Sequence, residues 1–307
     1  MNKKLTVSAP YITTYPPYAN IFSMIGSCKD SMNWFYNNFV DLKIEDDTIF
    51  FAEHPTLFGS CPWLSIEKLT REQIQLKWDS FVHFVIDCID AGCYLDLTLD
   101  QSQIPNAKRT KSPFFHETLI FGYNRSQELI YIADNFGRGV YQTTECTFLE
   151  ISRAYAHFKP ASYLGINKIS VTENDYNFDL EFVMKSMSSY INYRLNCIHD
   201  ASDVYSFWNN KIIRYSERNT LDIRDFLLLW SHTKCMLDRL DYMRENGHLD
   251  KERKYDDYKE IVNQSLIQLN FALKYLVTKD HKIVDRIICG NNQIRAKELA
   301  ILERLFK

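Results

Sequence analysis

Apolar and polar positions change rhythm about halfway along this chain. Up to about residue 165, short alternating runs mix with helical ones; from about 177 onward, apolar residues recur at helical spacing. Leu227, Trp230, Met236, Leu237 and Leu240 show that spacing inside one of three long stretches, at about 179–198, 221–245 and 255–278, and 280–307 adds one or two shorter helices. Such helices bury their stripes by packing as an antiparallel bundle. The expected division is residues 1–170 as one α+β domain and 171–307 as a helical extension.

In the first half, Leu95-Asp96-Leu97-Thr98-Leu99-Asp100 alternates strictly and predicts a half-buried strand. Thr118–Tyr123 and Leu129–Ala133 are apolar runs separated by Asn124-Arg125-Ser126-Gln127, a hairpin signal. Tyr11–Tyr18 contains Pro16-Pro17 and reads as extended. A helix is expected from Ser27 or Cys28 to Phe39, with Cys28, Met32, Phe35, Tyr36 and Phe39 on one face. Glu67–Ala91 reads as one or two more helices, ended by Gly92. A helix packed on an antiparallel sheet is the arrangement that buries both.

Composition narrows the function. The chain has 307 residues, ordinary apolar content, many aromatics and a formal net charge of -3. No basic stripe interleaved with aromatics is present, which argues against a nucleic-acid partner. No apolar run is long enough to span a bilayer, and Met1–Ala9 lacks a signal-peptide pattern, so the expectation is a cytoplasmic protein without a membrane partner. The eight cysteines, at 28, 61, 88, 93, 146, 197, 235 and 289, form no CxxC pair, so no metal site is expected.

One cysteine has a suggestive place. A thiol is nucleophilic as thiolate, and a helix start favours that form. Cys28 is expected there, with Gly26 and Ser27 leaving room for a substrate. A base and an orienting group must complete such a site. His116 opens one strand of the hairpin and Asp134 closes the other. An odd-numbered loop centred on Arg125 sets His116 opposite Asp134; a four-residue loop sets it opposite Asn135. Simple packing is the competing account, because Cys28 also lies on the apolar stripe and His116 follows Phe114-Phe115. Cys61, in Gly59-Ser60-Cys61-Pro62-Trp63, is the second candidate nucleophile. His83 and Asp87 share a helical face as a solvated pair, and Gly137-Arg138-Gly139 reads as a turn. Lys108, Arg109 and Lys111 form a basic loop, either solvated or suited to an acidic partner.

The run His116-Glu-Thr-Leu-Ile-Phe-Gly-Tyr-Asn, followed by Tyr131-Ile-Ala-Asp134, resembles the His and Asp segments of bacterial C39 peptidase-like proteins and of butirosin-type acyltransferase N-terminal domains. Leu95–Pro105 and Ile12-Thr13-Thr14-Tyr15 fit the same pattern, and the resemblance covers about residues 10–160. It implies a papain-like fold with Cys28 as nucleophile, His116 as base and Asp134 as orienting group. The implied reaction joins an acyl thioester on an acyl or peptidyl carrier protein to an amine, as an amide synthetase of natural-product biosynthesis would. No cofactor of its own is implied; the phosphopantetheine belongs to the carrier partners. The Gln that papain-like enzymes place six residues before the Cys is Phe22 here, which leaves Asn20 or Ser23 as oxyanion donors. A cysteine peptidase and a non-catalytic binding module of the same fold are the alternatives.

Overall fold

The computed structural model describes residues 2–137, 139–159, 165–196, 203–250 and 254–306. In chain order the elements begin β1 (Asn2–Lys4), α1 (Pro16–Ile25), α2 (Ser31–Asn37), β2 (Leu42–Glu45) and β3 (Thr48–Phe51). They continue α3 (Leu57–Ser60), β4 (Leu64–Leu69), α4 (Arg71–Lys77), α5 (Phe81–Asp90), β5 (Cys93–Asp100), β6 (Phe115–Asn124), β7 (Leu129–Phe136) and β8 (Val140–Thr147). Then come α6 (Phe148–His157), β9 (Ile166–Val171), α7 (Leu180–Asn196), α8 (Val204–Ser216), α9 (Ile223–Glu245), α10 (Tyr258–Thr278) and α11 (His281–Phe306). The class is α+β. No helix among the described residues is long and apolar enough to cross a membrane.

The chain forms two compact units, and neither is one continuous segment. The first comprises Met1–Ser31 and Thr56–Tyr176; the second comprises Met32–Pro55 and Asn177–Lys307. The stretch 32–55, expected to belong with the sheet, is therefore part of the helical unit.

The first unit is built on a seven-stranded sheet in the order β4-β9-β5-β6-β7-β8, with β1 added to β6 and every pairing antiparallel. Leu95, Leu97 and Leu99 of β5 and Ile130 and Ile132 of β7 share one core cluster with Phe84 and Val85 of α5 and Ile151 and Ala154 of α6. Because side chains alternate along a strand, Asp96 of β5 points to the opposite face, where it bonds Asn20 of α1. The sheet thus separates α5 and α6 from α1. Gly122 is where β1 meets β6: a Cβ there would lie 2.6 Å from the Lys3 carbonyl oxygen.

α2 forms Ser31–Asn37 of the helix expected from Ser27 or Cys28 to Phe39, and the helix that packs on the Asp96 face of the sheet is α1. Pro16 and Pro17 occupy its first turn, where missing N–H groups cost nothing, and Tyr18–Ile25 are all buried. Cys28 lies in the turn after it, donating its N–H to the Ile25 carbonyl at 2.8 Å. Glu67–Leu69, expected in a helix, complete β4; Thr70 then caps α4 with a capping box closed by Gln73.

In the second unit, α9 packs on α10, α10 on α11, and α11 on α7 and α8. The stretch expected to hold one or two shorter helices forms one long helix, His281–Phe306, and α8 lies where no helix was expected. The β2–β3 hairpin turns at Asp46 and Asp47, both at positive φ (45° and 63°). Arg239 of α9 is fully buried and donates to the Tyr36 and Phe39 carbonyls at 2.7 and 2.9 Å, joining the 32–55 stretch to the helices of this unit.

Candidate active site

The β6–β7 hairpin has Asn124 paired with Leu129, and an irregularity between Ile120 and Gly122 shifts the register to Leu119 with Ala133. Neither expected register forms. Continuing the pairing, Asp134 stands opposite Thr118 and His116 lies diagonally from it on the same face, within reach of long side chains. His116 Nδ1 is 2.6 Å from Asp134 Oδ2. Asp134 is wholly buried, and the His116 side chain remains 28% exposed. An ionised carboxylate only accepts, so Nδ1 carries the ring proton and Nε2 is the basic nitrogen. Among the described residues no hydrogen bond engages Nε2. Asn135, the reserve for Asp134, points away: its Nδ2 donates to the Thr13 carbonyl at 2.8 Å.

A second layer fixes the pair. Gln101, fully buried just beyond β5, donates from Nε2 to Asp134 Oδ2 and to Thr118 Oγ1. Asn135 N–H donates to Asp134 Oδ1 at 2.6 Å. Arg109 donates from Nε to Gln101 Oε1 and from Nη2 to the Asn135 carbonyl, each at 2.7 Å, and its Nη2 lies 3.7 Å from Asp134 Oδ2. The Phe114 ring stacks on His116, centroids 5.6 Å apart, and the Arg109 guanidinium sits 4.3 Å from that ring. Arg109, expected as a surface cation for a partner, has a side chain only 8% exposed and serves the interior. Lys108 and Lys111 beside it are exposed.

Cys28 does not join His116 and Asp134. Its thiol lies near Tyr94 and Cys61. Leu99, the partner of His116, lies about 16 Å further along β5 at ~3.3 Å per residue. The Thr13 contact likewise places the chain entering α1, rather than the turn leaving it, beside the His116 end of the sheet. Cys28 faces a cavity of about 530 Å³ walled by Trp63 and Val171–Asp175. Burial raises its pKa, the reverse of helix-start activation. Cys61 follows α3 instead of opening a helix, is buried, and is pushed by burial up to about 12.

The other expected site residues are engaged elsewhere. Asn20 donates to Asp96 at 2.8 Å and accepts from the Tyr141 hydroxyl at 3.3 Å; Ser23 donates to the Asn20 carbonyl at 2.8 Å. Both lie on the α1 face, across the sheet from the dyad, and are not placed as oxyanion donors to it. His83 lies 4.0 Å from Asp79, and Asp87 accepts from Trp78 Nε1 at 2.9 Å, so they do not pair with each other. Gly137 and Gly139 take positive φ in the β7–β8 turn; Arg138 and Cys197 lie outside the described residues. Sequence reasoning missed Gln101; the available signal was its position just past the alternating Leu95–Asp100 strand, which was expected to be half-buried and is buried on both faces.

The arrangement provides a fixed, partly exposed imidazole that can accept a proton at Nε2 while a buried carboxylate balances the imidazolium formed. No protein-family model and no curated protein matches the chain.

Proposed function

We propose that the first unit is a papain-like scaffold used for acyl transfer to an amine, with His116 as general base and no covalent acyl-enzyme. The 2.6 Å contact between His116 Nδ1 and the wholly buried Asp134 carries this reading, because it leaves Nε2 as the one basic nitrogen of a ring that solvent reaches. In the reaction, the amine nitrogen attacks the thioester carbonyl and gives its proton to Nε2. The tetrahedral intermediate expels the thiolate, and the imidazolium returns the proton to sulfur, so amide and thiol leave together. The thioester on a carrier protein's phosphopantetheine follows from the resemblance of the His and Asp segments. The exposed Lys108 and Lys111 flank the dyad loop and suit an acidic carrier. A thiol peptidase needs the same Cys28–His116 meeting as the acyl-enzyme and is set aside with it.

The test supplies an acyl-pantetheine thioester and a primary amine and reads thiol release and amide mass. His116→Ala and Asp134→Asn should lose on the order of 100-fold or more, while Cys28→Ala keeps wild-type turnover. An acyl adduct on Cys28 with loss of turnover in Cys28→Ala would restore the covalent route. Absence of turnover by the wild type across acyl donors would refute acyl transfer and leave the binding module.

A further inference from the structure

On the face of the sheet away from His116, β5 and β6 carry a second polar group. Asp96 is 3% exposed and accepts from Asn20 Nδ2 at 2.8 Å and from Asn167 Nδ2 at 3.1 Å. Glu117 lies diagonally from it across the β5–β6 pairing. Among the described residues no side chain or N–H donates to the Glu117 carboxylate. Burial, then the charges of Asp96 and Asp134, push Glu117 up to about 8. Burial pushes Asp96 up to about 6 against the pull of its two amide partners. Among the described residues, no lysine, arginine or histidine forms an ion pair with either carboxylate.

Both open onto one cavity of about 150 Å³, whose wall also includes Thr98, Asn167, Arg71 and Lys68. Arg71 is held in place: Nη1 donates to the Tyr155 carbonyl at 2.6 Å and the guanidinium covers the Tyr155 ring at 3.8 Å. Its remaining donors are not used by any described residue. The charges acting on Glu117 are other carboxylates, so Arg71 does not neutralise it. The cavity thus has a carboxyl wall, where Glu117 keeps its proton until a cation arrives, and a guanidinium wall that does not satisfy it. A metal ion would answer only the first, and no cluster of three metal-ligating side chains is found among the described residues.

We propose that this cavity binds a small α-amino acid, with its ammonium group between Glu117 and Asp96 and its carboxylate on Arg71. The guanidinium fork matches a carboxylate in two parallel hydrogen bonds, and an ammonium's three donors suit two carboxylates and the Thr98 hydroxyl. The site is independent of the acyl-transfer reading, since binding requires no chemistry at His116.

Calorimetric titration of the full chain with glycine, L-alanine, ethylamine and acetate tests it. Glycine or L-alanine should bind, with ethylamine and acetate each at least ~10-fold weaker, because each lacks one charged contact. Glu117→Gln and Arg71→Gln should each weaken the amino acid by a similar factor. Glu117→Gln should melt at or above the wild-type temperature without ligand, which separates loss of binding from loss of fold. Absence of heat with both amino acids would overturn the proposal, as would ethylamine or acetate binding as tightly as glycine, or variants that bind like the wild type.

Discussion

Replacing Glu117 with glutamine should remove a pH-dependent destabilisation of the sheet unit. Glu117 has an ordinary value of 4.5 and is raised in the folded chain to about 8. The folded state therefore holds this proton more tightly than the unfolded chain does. Its contribution to stability is complete below pH 4.5 and is lost as pH rises to about 8. Applying ~1.4 kcal/mol per pK unit across that interval gives roughly 4 kcal/mol lost between pH 5 and pH 8.5. Glutamine keeps the shape and hydrogen-bonding capacity of the neutral acid and cannot ionise. Urea unfolding of wild type and Glu117→Gln should therefore give similar midpoints at pH 5 and a clear advantage for the variant at pH 8.5. Asp96 interacts with Glu117, so the difference between the two proteins reports Glu117 together with its effect on Asp96. A wild-type-minus-variant difference that stays flat across this range would refute the reasoning, as would one that moves in the opposite direction.

Gly122→Ala should weaken the β1–β6 pairing by about 2 kcal/mol or more, because the new methyl would meet backbone of Lys3 and Lys4 rather than a yielding side chain; hydrogen exchange at the Leu5 amide, which donates to the Phe121 carbonyl, should accelerate. In the helical unit, Lys211→Met leaves the buried Asp225, 2.8 Å from Lys211 Nζ, without its cation. The loss should be about 3 kcal/mol by chemical denaturation, with partial recovery in the Lys211→Met, Asp225→Asn pair. Thiol alkylation followed by peptide mapping should mark exposed Cys289 first and Cys28 more slowly, while Cys61, Cys88, Cys146 and Cys235 stay protected until the chain unfolds; early labelling of Cys61 would contradict its burial.

The strands were legible where one face meets the core. Leu95–Asp100 alternates because β5 presents leucines to α5 and α6 and turns Asp96 to α1 on the other face. The His116–Asp134 meeting was legible because the ends of the hairpin lie together, and a register two residues away from the direct pair still leaves both side chains on one face in diagonal contact. The nucleophile expectation failed on helix phasing. Pro16-Pro17 reads as extended by its φ preference, but the same φ opens a helix, and Ile21, Phe22, Met24 and Ile25 behind it supply the buried face. With α1 ending at Ile25 and α2 beginning only at Ser31, the thiol sits in the turn between two helices instead of at a helix start. Arg109 could not be read from its neighbours, because Lys108 and Lys111 are solvated and only the fold distinguishes a turned-in guanidinium among them. The missed α8 carried a signal, Asp203 capping the Ser206 amide ahead of Trp208 and Ile212.

The partition of the chain into interleaved segments has a consequence for the order in which it can fold during synthesis. Domains fold as units, starting from the N-terminal side. The sheet unit has all of its residues once Tyr176 has emerged. Trp34, Phe35 and Phe39 are by then long since made, yet the unit that buries them includes residues up to Lys307. Arg239, which donates to the Tyr36 and Phe39 carbonyls, is among the later arrivals. Segment 32–55 therefore spends much of translation tethered at both ends to a sheet unit that already has all of its residues, with its apolar side chains lacking the helices that bury them, a stage at which the nascent chain is exposed to misassociation.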